Sequence, residues 1–131
     1  MRNKELRVTH RGSIRRSLTW RIDTTEAEQG TVTVTDAKGV RIAQRSFSLA
    51  VRSPGVLLTC IAAVGRSART SIRDAAAIDV VPGPGTFSRV RLGVVTANAL
   101  AWSLGVPLIV RGKRVRIATP VYGKPPNITL R

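Results

Sequence analysis

The segment VVPGPGTFSRVRLG, residues 80–93, joins an apolar strand-like run to a helix through a Pro-Gly-Pro-Gly turn. A strand, a glycine-rich turn and a helix N-terminus are also the parts of a phosphate-binding loop. However, no Lys follows Gly85 as a P-loop requires, and Ser88 stands where a dinucleotide loop has its third Gly. Pro82 and Pro84 also lack the N–H groups that bind phosphate. The residues favour a rigid turn that starts a helix, with anion binding at the first helical turn as the alternative. This structural turn comprises Gly83, Pro84, Gly85, Thr86 and Phe87.

Hydrophobic periodicity predicts seven elements around this turn. Period-two alternation and β-branched residues predict three strands, at residues 18–25, 31–36 and 40–49. Helical spacing predicts two helices, at residues 53–68 and 86–104. Short apolar runs predict two buried strands, at residues 75–83 and 106–110. Ser53 is a suitable N-cap for the first helix, and Gly105 is a suitable end for the second. In the third strand the apolar phase shifts between Ile42 and Phe47, which predicts a bulge or a twist.

The predicted order is β-β-β-α-β-α-β, an antiparallel meander followed by two crossover units. Right-handed crossovers place the first, fourth and fifth strands parallel in one mixed five-stranded sheet. This α/β order is the ribonuclease H-like arrangement, which is also the half-domain of the actin/sugar kinase/Hsp70 superfamily. A chain of 131 residues has room for one such domain.

The net charge of +15 is concentrated at the two ends of the chain. Residues 1–16 contain six Lys or Arg and one acid, and residues 111–131 contain six and no acid. We therefore divide the chain into a basic arm (1–16), a domain (17–110) and a basic, proline-containing extended tail (111–131). Basic ends favour contact with RNA phosphates, and tRNA is a candidate partner. The candidate RNA-contacting residues are Arg11, Arg15, Arg16, Lys113, Arg114 and Arg116.

The residue types argue against catalysis, a metal site and a cofactor. A ribonuclease H-type nuclease needs three or four carboxylates at one metal site, whereas only Asp23 and Asp79 lie on predicted strands of the crossover units. Asp23 is also explained as a turn residue. His10, the single histidine, lies in the basic arm, and Cys60, the single cysteine, lies among apolar residues. No apolar run approaches the roughly 18 residues of a membrane span.

Three segments resemble the TsaB family, which is also called YeaZ. Residues 83–110, GPGTFSRVRLGVVTANALAWSLGVPLIV, resemble that family's GPGSFTGLRIG-type motif and the helix after it. IDTT at residues 22–25 resembles the first-strand IDTS, and RSPGVLL at residues 52–58 aligns with the start of the first helix. Ser88 and Arg89 depart from the family's Thr and Gly. The resemblance covers about residues 18–110.

The resemblance implies a non-catalytic subunit of the machinery that makes N6-threonylcarbamoyladenosine at position 37 of tRNA. Such a subunit has a degenerate nucleotide site and supports the catalytic subunit TsaD, alongside the ATPase TsaE. The resemblance also implies a cytoplasmic protein, and a short form that lacks most of the family's C-terminal domain. A homodimer through the same helices and a stand-alone RNA-binding module are the alternatives.

In the family, the two helices of this domain form the subunit interface. In the second helix, one apolar stripe contains Val90, Val94, Ala97 and Ala101, and another contains Leu92, Val95, Ala99 and Trp102. A helix that covers a sheet needs only one apolar face, so a second one suggests a partner. The sequence leaves open which stripe faces outward. The interface residues predicted here are Leu57, Leu58, Ile61, Val64, Val90, Val94, Ala97 and Ala101.

Overall fold

A computed structural model describes residues 17–26, 28–50 and 55–123 of the protein. Its strands are β1 (Thr19–Asp23), β2 (Gln29–Thr35), β3 (Arg41–Ser48), β4 (Ala77–Val80), β5 (Leu108–Val110) and β6 (Lys113–Val115). They form one mixed sheet in the order β3-β2-β1-β4-β5-β6. The first three strands pair antiparallel, and β1, β4 and β5 are parallel. The predicted ribonuclease H-like topology is confirmed.

Within the residues that the structure describes, the sheet has six strands, not the five that the sequence predicts. After β5 the chain reverses at Arg111 and Gly112, which have φ values of 50° and 79°, and β6 pairs antiparallel with β5. The pattern Lys-Arg-Val gives no apolar alternation, because this edge strand buries only part of Val115. The rest of the predicted tail beyond residue 123, and the predicted arm at residues 1–16, lie outside the described residues.

Two helices, α1 (Val56–Ser67) and α2 (Phe87–Leu104), pack on the same face of the sheet. Helix α1 begins after Gly55, later than predicted, and Ser53 lies outside the described residues. Helix α2 begins after Thr86 and ends at Gly105, as predicted. Gly105 takes a left-handed conformation, with a φ of 67°, and its N–H reaches the last-turn carbonyl groups. None of the described helices is long and apolar enough to cross a membrane.

The hydrophobic core lies between this helix pair and the sheet. Alternate residues of β1, β2 and β4 point into it, including Trp20 and Ile22 of β1 and Ile78 of β4, all at most 1% exposed. The opposite face of the sheet is polar, and it carries Arg21 and Asp79 side by side on β1 and β4. The domain is therefore a two-layer structure with both described α-helices on one side; a short 3-10 helix, Ile72–Asp74, leads into β4.

The predicted irregularity in β3 is present at Ile42. The register between β2 and β3 shifts there, because Val34 pairs with Ala43 while Thr35 pairs with Arg41. Ile42 is the extra residue. A bulge of this kind changes which side chains point to the core, and this explains the shift in apolar phase along the strand.

Candidate docking surface

The turn at residues 83–87 connects β4 to α2 and is enclosed by the chain itself. Gly83 precedes a cis peptide bond to Pro84 and has a φ of 136°. The carbonyl oxygen of Val121 occupies the place where a β-carbon on Gly83 would lie. A β-carbon on Gly85 would lie 2.7 Å from the side chain of Val90. The glycines thus allow close packing of protein atoms, and the nearest of those atoms to Gly83 is an acceptor oxygen, which disfavours an anion.

The IDTT segment after β1 holds the start of α2. Thr24 is fully buried, and its hydroxyl group donates a hydrogen bond of 2.6 Å to the carbonyl oxygen of Arg89. A β-carbon on Gly93 would lie 2.5 Å from the same hydroxyl oxygen. The Asp23 carboxylate accepts hydrogen bonds from the backbone N–H and the hydroxyl group of Thr25, at 2.9 and 2.6 Å. Asp23 therefore acts as a turn residue, as the sequence also suggests.

Residues 116–123, here called the return segment, run back along one flank of α2. The Asn98 side chain donates to the carbonyl oxygen of Ala118 at 3.0 Å and accepts from its N–H at 2.8 Å. Nearer the turn, the N–H of Val121 donates to the carbonyl oxygen of Pro82 at 2.7 Å. Sequence reasoning missed this segment, and the signal that could have indicated it was the polar Asn98 between the buried Ala97 and the apolar residues 99–102.

An aromatic contact closes the end of the return segment over the start of α2. The rings of Phe87 and Tyr122 stack with centroids 4.8 Å apart. The guanidinium group of Arg91 lies over the Phe87 ring at 5.1 Å from its centroid. Phe87 nevertheless remains 54% exposed. The last residue of the predicted turn, Phe87, is therefore held by a stacking contact with Tyr122, which lies 35 positions later in the chain.

Seven of the eight predicted interface residues are in the core of the chain, and this corrects the prediction. They are at most 6% exposed, because the small side chains of this stripe let α2 approach the sheet closely, and those of α1 face it too. Only Leu58 is exposed, at 57%. The buried seven are Leu57, Ile61, Val64, Val90, Val94, Ala97 and Ala101.

The other stripe of α2 faces outward. Val95 is 56% exposed and Trp102 is 87% exposed, with Ala99 between them. Together with Leu58 of α1 they form an apolar surface, which we call the two-helix surface. A shallow groove of about 350 Å³ runs along it between the helices. The groove is lined by Leu57, Leu58, Leu92, Val95, Thr96, Ala99, Leu100 and Ser103.

The charged side chains that α1 and α2 place around this surface are all basic. Neither α1 nor α2 contains an Asp or a Glu, and the sequence has no acid after Asp79. Arg66 and Arg91 are exposed. Of the candidate RNA-contacting residues, Lys113, Arg114 and Arg116 are exposed at and after β6. The remaining three, Arg11, Arg15 and Arg16, lie outside the described residues.

Two described titratable groups have shifted pKa values. Burial raises the pKa of the Cys60 thiol, which lies 3.6 Å from the carbonyl oxygen of Arg45. Desolvation raises the pKa of Asp79, and the neighbouring Arg21 partly opposes this. Neither group faces the two-helix surface. In residues 17–26, 28–50 and 55–123, no three His, Cys, Asp or Glu side chains cluster in a way that could hold a metal ion.

Comparison with known proteins agrees with this geometry. The family described as "TsaD: tRNA N6-adenosine threonylcarbamoyltransferase" matches residues 52–110, which include α1, β4, α2 and β5. The structure is similar to YeaZ from Pseudomonas aeruginosa, with a TM-score of 0.62 and 22% sequence identity. This chain is TsaB/YeaZ-like in fold. A second structure, an uncharacterized protein with similarity to peptidase YEAZ from Pseudomonas aeruginosa, gives a TM-score of 0.61 and 22% identity.

The match to YeaZ is partial. It covers 72% of this chain but 43% of the YeaZ chain. The match to the second structure covers 72% of this chain and 42% of that one. The matched part of this chain therefore spans less than half the length of each of these two structures. No curated protein matches the sequence.

Proposed function

We propose that this protein is a non-catalytic docking subunit for the synthesis of N6-threonylcarbamoyladenosine at position 37 of tRNA. In this role it binds a TsaD-like catalytic subunit through the two-helix surface and supports its activity. The observation that carries the proposal is an exposed apolar helix pair on a TsaB/YeaZ-like fold. Exposed apolar side chains grouped on one surface are typical of protein–protein contact sites, because burial of apolar area is the main driving force of association.

The assignment as a non-enzyme is part of the proposal. The groups that would be candidates for chemistry have structural roles in the described residues. Asp23 is held within its own turn, Thr24 is buried under α2, and the Cys60 thiol is buried with a raised pKa, which disfavours the reactive thiolate. Catalysis is therefore assigned to the partner. A TsaE-like ATPase is the further proposed partner, and a cytoplasmic location follows from the proposed role.

Pull-down experiments with the TsaD-like subunit from the same organism test the proposal. Leu58→Asp and Val95→Asp place charges on the two-helix surface, and each should abolish capture of the subunit while leaving the fold intact. Val40→Asp is a matched control, because Val40 is 55% exposed but lies in the β2–β3 connection, away from both helices.

Nucleoside analysis of tRNA tests the role in the cell. Deletion of the gene should lower the content of threonylcarbamoyladenosine, and the native sequence should restore it. The Val95→Asp variant should fail to restore it, and the Val40→Asp variant should succeed. Unchanged threonylcarbamoyladenosine after deletion would contradict the proposal.

A stand-alone RNA-binding module is the second candidate. The observation that favours it is the exposed group of Lys113, Arg114 and Arg116 in a stretch, residues 80–131, that contains no acid. Each cation that contacts a phosphate releases condensed counterions, so such a group binds RNA without sequence preference. The two candidates use different surfaces, because these cations lie at and after β6 while the apolar surface lies on α1 and α2.

A further inference from the structure

Trp102 is the most exposed large apolar side chain in the described part of the molecule. It is 87% exposed, whereas Trp20, the other tryptophan, is 1% exposed in the core. Trp102 lies in the last turn of α2, three residues after Ala99 and seven after Val95, on the same outward stripe. Ala99 and Ser103 line the groove beside it. The indole therefore projects from one end of the two-helix surface.

Nothing within the domain requires an indole at this position. The helix ends correctly at Gly105 through backbone hydrogen bonds to Ala101 and Trp102, which any side chain at position 102 allows. A tryptophan side chain can bury about 150–250 Å² of surface in a contact. Because the ring is rigid, this burial costs little conformational entropy. Tryptophan is also enriched among the few residues that carry most of the binding free energy at interfaces.

From this placement we propose that Trp102 is the anchor residue of the docking surface, and that its indole enters an apolar pocket on the TsaD-like subunit. The inference rests on the proposed function and adds to it the residue that determines affinity. Val95 and Leu58 then act as the surrounding apolar contacts that exclude water from the anchor.

The observations favour the TsaD-like chain over a second copy as the occupant. A two-fold homodimer through this surface brings the same residues of two chains together, so Arg66 and Arg91 face a surface without helical acids. A different chain is free to present carboxylates to these arginines. In addition, the match of residues 52–110 to the TsaD family indicates that a TsaD-like chain has a corresponding helix pair, which allows two pairs to pack face to face.

The two tryptophans allow a direct experiment on the full-length chain. Labelled with 5-fluorotryptophan, the protein should give two ¹⁹F resonances, and the Trp102→Phe variant identifies the one from Trp102. On addition of the unlabelled TsaD-like subunit, the Trp102 resonance should shift and lose its sensitivity to solvent. The Trp20 resonance should stay in place, because Trp20 is already buried.

Affinity measurements complete the test. Trp102→Ala should weaken binding by about 30-fold or more, a loss typical of an interface hot spot. Trp102→Phe should weaken it less, since the aromatic ring keeps part of the contact. The unfolding temperature should be unchanged in both variants, because the side chain is exposed. Ile117→Ala is the matched control, as Ile117 is 67% exposed on the return segment.

The outcomes separate the inference from the function on which it rests. If Val95→Asp abolishes binding while Trp102→Ala changes it by less than about threefold, the anchor is wrong and the docking function remains. If the Trp102 resonance shifts with increasing concentration of this chain alone, a second copy is the occupant and the inference is overturned. If the TsaD-like subunit does not bind the native chain, the proposed function fails.

Discussion

Position 83 requires glycine because of Val121, which lies 38 positions later in the chain. The backbone φ of 136° disfavours any side chain, and the carbonyl oxygen of Val121 fills the space that a side chain would need. The reason for the first glycine of the turn is therefore close packing. The Pro-Gly-Pro-Gly sequence shows that the turn is stiff, but it does not show which atoms surround it.

Gly83→Ala should lower the free energy of unfolding by about 3 kcal/mol, from backbone strain and overlap together. Gly39→Ala is the matched control, because Gly39 also has a positive φ, 83°, but no atom lies near its added β-carbon. The control should lose only about 1 kcal/mol. Urea titration followed by circular dichroism measures both, and equal losses would show that the contact with Val121 is unimportant.

Asp79 makes stability depend on pH. Desolvation raises its pKa above the ordinary value of 3.8, so the folded state favours the protonated acid. This favourable contribution is complete below the ordinary pKa and is lost as the pH rises through the raised pKa. Asp79→Asn cannot ionise, so at pH 7 it should be more stable than the native chain, by less than about 1 kcal/mol because solvent screens a partly exposed group.

The difference between the Asp79→Asn variant and the native chain should disappear below about pH 3.8, where Asp79 is protonated in both states. Thermal unfolding of both proteins from pH 3 to pH 7 measures it. A variant that is less stable than the native chain at pH 7 would mean that the attraction to Arg21 outweighs the desolvation of the carboxylate.

At the scale of the element, α2 has two apolar stripes with different functions. Its inner stripe contains small residues because it packs against β1, β4 and β5, and its outer stripe contains Val95 and Trp102. Both stripes have helical periodicity, so periodicity predicts the helix and its ends but not its orientation. The orientation follows from which stripe fits closely on the sheet.

Val94 and Val95 are adjacent residues on opposite stripes, and they give a matched pair of variants. Val94 is 2% exposed, so Val94→Asp buries an unpaired charge and should cost at least about 3 kcal/mol of stability. Val95→Asp should change stability by less than about 0.5 kcal/mol, because Val95 is exposed. Chemical denaturation measures both, and similar losses in the two variants would contradict this orientation of α2.

At the scale of the whole molecule, the charge is as unevenly distributed as the apolar surface. The described residues have two separate exposed surfaces: an apolar one on α1 and α2, and a basic one at β6. The electrostatic attraction to RNA falls with added salt, whereas burial of apolar area does not. Salt dependence therefore distinguishes the two kinds of contact.

If Lys113, Arg114 and Arg116 contact phosphates, replacement of all three by Gln should reduce the slope of log K for RNA against log salt concentration by about 2 to 3 units. Binding of the TsaD-like subunit should be unaffected. Filter binding or fluorescence anisotropy with tRNA at several salt concentrations gives the slope. A slope equal to that of the native chain would place the RNA contacts elsewhere or show that there are none.

The sequence alone determined the α/β class, the order of the first seven elements and the strand directions, since periodicity, caps and crossover handedness are local or topological properties. Only the tertiary structure showed β6, the return segment and the outward stripe of α2. These depend on contacts between distant residues, such as Asn98 with Ala118 and Phe87 with Tyr122. Periodicity marks an apolar face, but only packing shows whether that face is buried in the chain or exposed for a partner.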